Sequence, residues 1–174
     1  MKRFVRRAVV TAALIAVPTM VGAPAFAAAT AETPKKKPAV AVDQVAYETE
    51  VVKLTNAERT AAGCQALRID NRLIASARAH STDMANTRTM SHTGSDGSNF
   101  VTREVRAGYP KRDAAAENIA YGYKSPQQVV TAWMNSSGHR KNILNCASTE
   151  IGVGVVFTSS GTPYWTQNFG RGKG

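Results

Sequence analysis

The chain is poor in cysteine, histidine and acidic residues, and each shortage narrows what it can be. Two cysteines in 174 residues exclude a disulfide-dense scaffold and any four-cysteine zinc module. Three histidines leave few ways to hold a metal, and none falls in a His-Glu-x-x-His spacing. Aromatic residues make up only 7%, with no aromatic stripe interleaved among basic residues of the kind that binds nucleic acid. Acidic residues number 12 against 22 basic ones. No apolar run reaches the roughly 20 residues needed to span a bilayer.

What is present begins with an export signal. Lys2, Arg3, Arg6 and Arg7 precede an apolar stretch from Ala8 through Val21, and Ala25-Phe26-Ala27 supplies a small-x-small cleavage pattern, so residues 1–27 are read as a signal peptide removed after Ala27. The general route is preferred, although Arg6-Arg7 keeps a twin-arginine route open. The leader carries four basic residues and no acidic ones, which leaves a mature net charge of +6. Residues 28–43 are rich in Ala, Pro and Lys, with Lys35-Lys36-Lys37 together, and read as a solvated linker rather than a nucleic-acid footprint. The expected location is extracellular, with no nucleic-acid partner and a monomeric state.

Residues 44–174 are enough for one domain with a single core. In an oxidising compartment Cys64 and Cys146 default to a disulfide, with two free thiols or a reactive nucleophilic cysteine as the alternatives. Helical spacing predicts a first helix over Tyr47–Ala62, stopped by Gly63, and a second from an Asp70 cap to about Arg88 with Leu73, Ala77, His80 and Met84 inward. A shorter helix is expected from Ser98 to Ala107, ended by Gly108. Ser125-Pro126-Gln127-Gln128 opens a fourth, carrying Val129, Val130, Trp133 and Met134. The period then changes to two. Glu150–Phe157 has one apolar face and two adjacent glycines, Gly152 and Gly154, on the other, where something must approach closely. Pro163–Phe169 returns as a second strand, and a third is expected near Glu117–Tyr121. The fold class is therefore α+β, with helices on both faces of a small, mostly antiparallel sheet.

Several segments resemble bacterial members of the CAP superfamily (cysteine-rich secretory, antigen 5 and pathogenesis-related proteins). They are Leu54-Thr55-Asn56-x-x-Arg59, His80-Ser81-x-x-Met84, Ser91-His92-Thr93 and Ala116-Glu117-Asn118-Ile119-Ala120. Trp133-Met134-Asn135-Ser136, Gly138-His139-Arg140, Asn142-Ile143-Leu144, Ile151-Gly152-Val153-Gly154 and Tyr164-Trp165-Thr166-Gln167-Asn168-Phe169-Gly170 follow in the expected order. The resemblance spans Tyr47 to Gly170 and implies an α-β-α sandwich. The position of the cysteine pair resembles an actinobacterial variant.

The residues suited to chemistry are His92, Glu117 and His139. Two imidazoles and a carboxylate can hold zinc or another divalent metal with a position left for water, or form an oriented acid/base pair. The resemblance implies that His92 and Glu117 line a cleft. Animal and plant relatives add a second histidine, where this chain has Tyr164, and a second glutamate, where it has Asn135, Ser136 and Ser137. His139, from the bacterial histidine-arginine motif, is expected in the same cleft, with Tyr164 and Gln167 as polar lining. Each has a structural alternative: His92 could bond a loop, Glu117 could cap a helix or pair with Arg140, and His139 could be an ordinary helix-start residue. His80, on an apolar face, reads as a core histidine. Ser95-Asp96-Gly97-Ser98-Asn99 lacks most calcium ligands and reads as a turn. Two functions follow from the resemblance. The preferred one is a non-catalytic secreted module binding a lipid, glycan, peptide or protein; the other is a metal-assisted hydrolase using the same cleft.

Overall fold

Asp43 supplies the first structural signal, accepting a hydrogen bond from the Ala46 amide and so capping helix α1, Gln44–Ala61. The helix thus starts earlier than its apolar spacing predicts, because the cap rather than the pattern sets the end. The computed structural model describes residues 43–172; the predicted leader and the linker up to position 42 lie outside the described residues.

The remaining elements are β1 (Arg68–Ile69), α2 (Asn71–Thr87), α3 (Phe100–Arg106), β2 (Ala114–Tyr121), α4 (Pro126–Met134), α5 (Ser137–Ile143), β3 (Glu150–Phe157) and β4 (Pro163–Gly170), with a single 3-10 turn before β2. Asp70 caps α2 through the amides of Arg72 and Leu73, as predicted. Asn99, not Ser98, caps α3. Gly108, at φ +87°, ends α3 as expected: its amide bonds to Val105 and the Tyr109 amide to Glu104, a Schellman closure that needs a left-handed residue. Two elements escaped the sequence reading. Strand β1 is two residues long, too short to carry a period, and α5 has only one buried residue, Ile143.

The strands lie in the order β1-β3-β4-β2. β1 runs parallel to β3, while β3–β4 and β2–β4 are antiparallel. One face, under α1, α4 and α5, holds the main core of Val51, Trp133, Ile151, Val155, Trp165 and Phe169 with their neighbours. The other face, under α2, is smaller and more polar. Met84, Ala85, Ile119 and Tyr164 cluster there, and Ser81 donates to the Gly154 carbonyl and the Thr166 hydroxyl. No helix among the described residues is long and apolar enough to cross a membrane.

The two bare positions of β3 are where α2 seats. A Cβ on Gly152 would overlap the backbone of Leu73 and Ile74, and one on Gly154 the backbone of Ala77 and Arg78. Since a helix backbone cannot yield as a side-chain end can, Gly154→Ala should lower stability by about 3 kcal/mol. Urea unfolding of the two proteins measures this; an unchanged midpoint would show that α2 has room to move. Cys64 and Cys146 form a disulfide with Cα atoms 5.0 Å apart across 82 residues, tying the end of α1 to the loop after α5. In the chain-entropy model a loop of this length is worth roughly 4 kcal/mol.

Candidate functional site

Because side chains alternate along a strand, Glu117 and Asn118 leave β2 on opposite faces of the sheet. Glu117 pairs in register with Asn168 and Asn118 with Gln167, so Glu117 enters the α2–α3 side and Asn118 the α1–α5 side. This single alternation organises the site.

Glu117 is buried, and both of its oxygens are engaged. His92 donates from Nδ1 to Oε1 at 2.9 Å, and Arg103 donates from Nη2 to Oε2 at 2.7 Å. Arg103 also holds the Ser98 carbonyl at 2.7 Å and the His92 carbonyl at 3.1 Å, so one guanidinium fixes the loop that carries His92. The His92 side chain itself is 58% exposed, which places an imidazole at the rim over a carboxylate floor. With Nδ1 donating to Glu117, the neutral ring leaves Nε2 as a free acceptor.

His80 is fully buried beneath this pair, as its apolar helix face predicts. It donates from Nε2 to the Ser91 carbonyl at 2.9 Å and stands 4.0 Å from Glu117 Oε2. Burial lowers its pKa, partly offset by the Glu117 charge. Glu104, the neighbour of Arg103 on α3, is fully buried, and neither carboxylate oxygen has a hydrogen-bond partner. Burial first, and the charge of Glu117 second, push its pKa up to about 8 against the pull of Arg103.

On the other face, Asn118 donates to the His139 carbonyl at 3.2 Å and to Gln167 Oε1 at 3.0 Å, while Asn142 donates to Asn118 Oδ1 at 2.8 Å. His139 therefore approaches from α5, across the edge of β2 from Glu117. Burial lowers its pKa, and the positive form of His92 lowers it further. The structure brings His92 and Glu117 into direct contact, and His139 stands near enough to His92 to feel its charge.

The two residues expected as polar lining are both buried. Gln167 is fully buried between Asn118 and the Thr55 hydroxyl, to which it donates at 2.8 Å, on the opposite face from Glu117. Tyr164 is buried as well, packed with Met84, Ala85 and Ile119 and stacked on Tyr121. The partner of Glu117 is Arg103, not Arg140. The Ser95–Asn99 segment is a tied turn: Asp83 accepts from the Ser95 amide and hydroxyl, and Asp96 accepts from the Ser98 amide and pairs with Arg106.

The expected metal set does not fit this arrangement. No group of three His, Cys, Asp or Glu residues among the described residues is placed to hold a metal ion. The Glu117 carboxylate is neutralised instead by the Arg103 guanidinium in contact with it. Arg103 and Glu104 were missed by the sequence reading. The available signal was two charged residues on the inward face of α3, between Phe100 and Ala107 at spacings of three and four.

Comparison with known proteins places this geometry. The cysteine-rich secretory protein family model, CAP, matches residues 52–169. The chain is 46% identical over 145 residues to the uncharacterized protein YkwD of Bacillus subtilis (strain 168), covering 82% of this chain and 54% of that protein. Among solved structures, an extracellular protein of Bacillus anthracis containing an SCP domain matches with a TM-score of 0.68 at 31% identity, over 74% of this chain and 41% of that one. An outer surface protein of Borrelia burgdorferi shares the fold at 24% identity, with a TM-score of 0.64, over 72% of this chain and 92% of that one. The chain thus spans about half the length of the curated relative and less of the Bacillus anthracis protein. The family match covers most of the strands and helices around Glu117, and on it the chain belongs to the cysteine-rich secretory protein (CAP) family.

Proposed function

We infer that the protein is a non-catalytic extracellular binding module of the CAP family, exported through its basic and apolar leader. The observation that carries this reading is the state of Glu117. A carboxylate serves a metal or a proton through its negative charge; here that charge is compensated by the Arg103 guanidinium on one oxygen, while His92 donates to the other. Arg103 is a permanent cation, so the carboxylate is held as a structural anion that orients His92 and pins its loop. The extracellular and outer-surface descriptions of the structural relatives support the location.

One observation favours the hydrolase reading: a carboxylate-oriented imidazole with an exposed ring is the arrangement of a general base. Calorimetric titration with zinc, on the wild type, His92→Ala and His139→Ala, separates the two, together with turnover of ester, amide, phosphoester and glycoside reporters in its presence. We expect no zinc uptake that depends on either histidine and no turnover. Stoichiometric uptake lost in both variants, with turnover lost in Glu117→Gln, would overturn the binding-module reading.

A further inference from the structure

Beyond the His92–Glu117 pair, the described residues carry six large apolar side chains that remain exposed, and three of them gather at one place: Met90, Tyr121 and Tyr123. Clustering of this kind marks a contact surface, where scattered exposure does not. They border two adjoining hollows. One, of about 210 Å³, runs from Met90 and Tyr121 over Trp133 to Ser136 and His139. The other is open and shallow, lined by Tyr123, Gln127, Gln128 and Thr131. Tyr123 and Ala132 line both, so the two form one groove along α4.

The loop that carries the tyrosines is fixed at several points. The Gly122 amide donates to the Pro163 carbonyl at 2.8 Å, Trp165 donates from its indole to the Tyr123 carbonyl at 3.0 Å, and the Lys124 amide donates to Gln128 Oε1 at 2.8 Å. Tyr121 stacks on Tyr164 with centroids 5.8 Å apart and planes 25° apart, so one face of its ring is occupied and the ring is held. Rings positioned before a ligand arrives lose little entropy on binding.

Charge and hydrogen bonding select among occupants. No Asp, Glu, Lys or Arg lines either hollow, although the chain without its leader carries a net charge of +6. Lys124, in the same loop, turns its ammonium away to the Gly161 carbonyl at 2.8 Å. The one imidazole in the lining is that of His139, whose lowered pKa favours the neutral ring. An anionic polymer or lipid headgroup would find no counter-charge here. Nor can an extended peptide add to the edge strand in the usual way. The carbonyls of Glu117 and Ile119 on that strand already accept from Asn142 and from the Trp133 indole, which blunts the edge. What remains is an uncharged ligand with flat apolar faces and a rim of hydroxyls. A pyranose ring has that form: its axial C–H face lies on an aromatic ring, and its equatorial hydroxyls meet amides and hydroxyls beside it. The Ser136 hydroxyl makes no helix-cap bond and is available for this.

We propose that this groove binds an uncharged oligosaccharide, with Tyr121 and Tyr123 as stacking platforms and Gln127, Thr131 and Ser136 as its polar partners. The assignment rests on the binding-module reading and names its ligand class. The test is calorimetric titration of the exported full-length chain with chitotetraose, at low and high salt, followed by chromatography of the sugar. Binding is expected to be insensitive to salt, about tenfold weaker in Tyr121→Ala and in Tyr123→Ala, and retained in Tyr121→Trp, since stacking survives that change. Uptake without cleavage supports the groove and the non-catalytic reading together. Cleavage of the bound tetramer overturns the non-catalytic reading and leaves the groove assignment standing. Absence of uptake, equal uptake in both alanine variants, or preferential binding of neutral phosphatidylcholine vesicles overturns the groove assignment and leaves the reading of Glu117 untouched.

Discussion

Arg59→Met should lower the stability of the folded domain by about 4 kcal/mol, a large part of the 5–15 kcal/mol typical of single domains. Arg59 is fully buried, and its partners are backbone carbonyls: Gln65 at 3.0 Å, Ile143 at 2.7 Å, Asn145 at 2.9 Å and Ser148 at 2.9 Å. Its pKa is lowered by burial, which expresses the cost of placing a cation there. The cost is met because the planar fork offers five donors to four carbonyls, of which Asn145 alone also accepts from a backbone amide, that of Ser148. Methionine fills similar volume but leaves the Gln65, Ile143 and Ser148 carbonyls without that donor, while Asn145 keeps the Ser148 amide, and an unmet buried acceptor costs about 1–3 kcal/mol. The segment that comes loose, Ile143–Ser148, is also the one held by Cys146. Removing both cysteines in the Arg59→Met background should therefore cost more than the sum of the two changes. Denaturant midpoints of the single and combined variants measure this. A loss below about 1 kcal/mol for Arg59→Met would mean that water replaces the guanidinium at little cost.

Glu104→Gln is expected to do the opposite, raising stability at neutral pH. The folded-state pKa of Glu104 is about 8 against a reference value of 4.5, so folding takes up a proton between these limits. Below the reference value the carboxyl is protonated in both states and folding carries no penalty. As pH rises from there toward 8 the unfolded state loses its proton first, and stability falls. At pH 7 the penalty is roughly 3 kcal/mol. Glutamine has the same shape with no proton to take up. Its advantage should grow from near zero at acid pH to its full value near pH 8, read as the difference between two midpoint-against-pH curves. Parallel curves across that range would show that Glu104 ionises freely in the fold.

The same pair, Arg103 and Glu104, marks where reading the sequence stopped. The second helix was legible because its inward positions are apolar or small and recur at helical spacing, and because Asp70 and Arg88 close its ends. The glycine pair of β3 was legible because alternation left two adjacent positions bare on one face, and backbone is what then fills the space. The inward face of α3 was not legible in this way. Its inward residues are charged, and a charged residue on a short helix reads as solvent-facing until a buried partner is known. The cleft was legible only in part. His92 and Glu117 do meet, but Gln167 shares a strand face with the core beneath α1, and register against β2 decides that.

By itself, then, the sequence determined the elements and their faces: caps at Asp70 and Ser125, the period change at Glu150, the cysteine pair and the motifs that carry the family. These depend on local spacing, and local spacing is written in the chain. The tertiary structure alone decided that Arg103 occupies the second oxygen of Glu117, that Asn118 of β2 ties down the His139 carbonyl, and that Tyr121 and Tyr123 border one hollow beside α4. Each of these joins residues from different elements, and their meeting depends on strand order and register, which are settled only when the whole core packs.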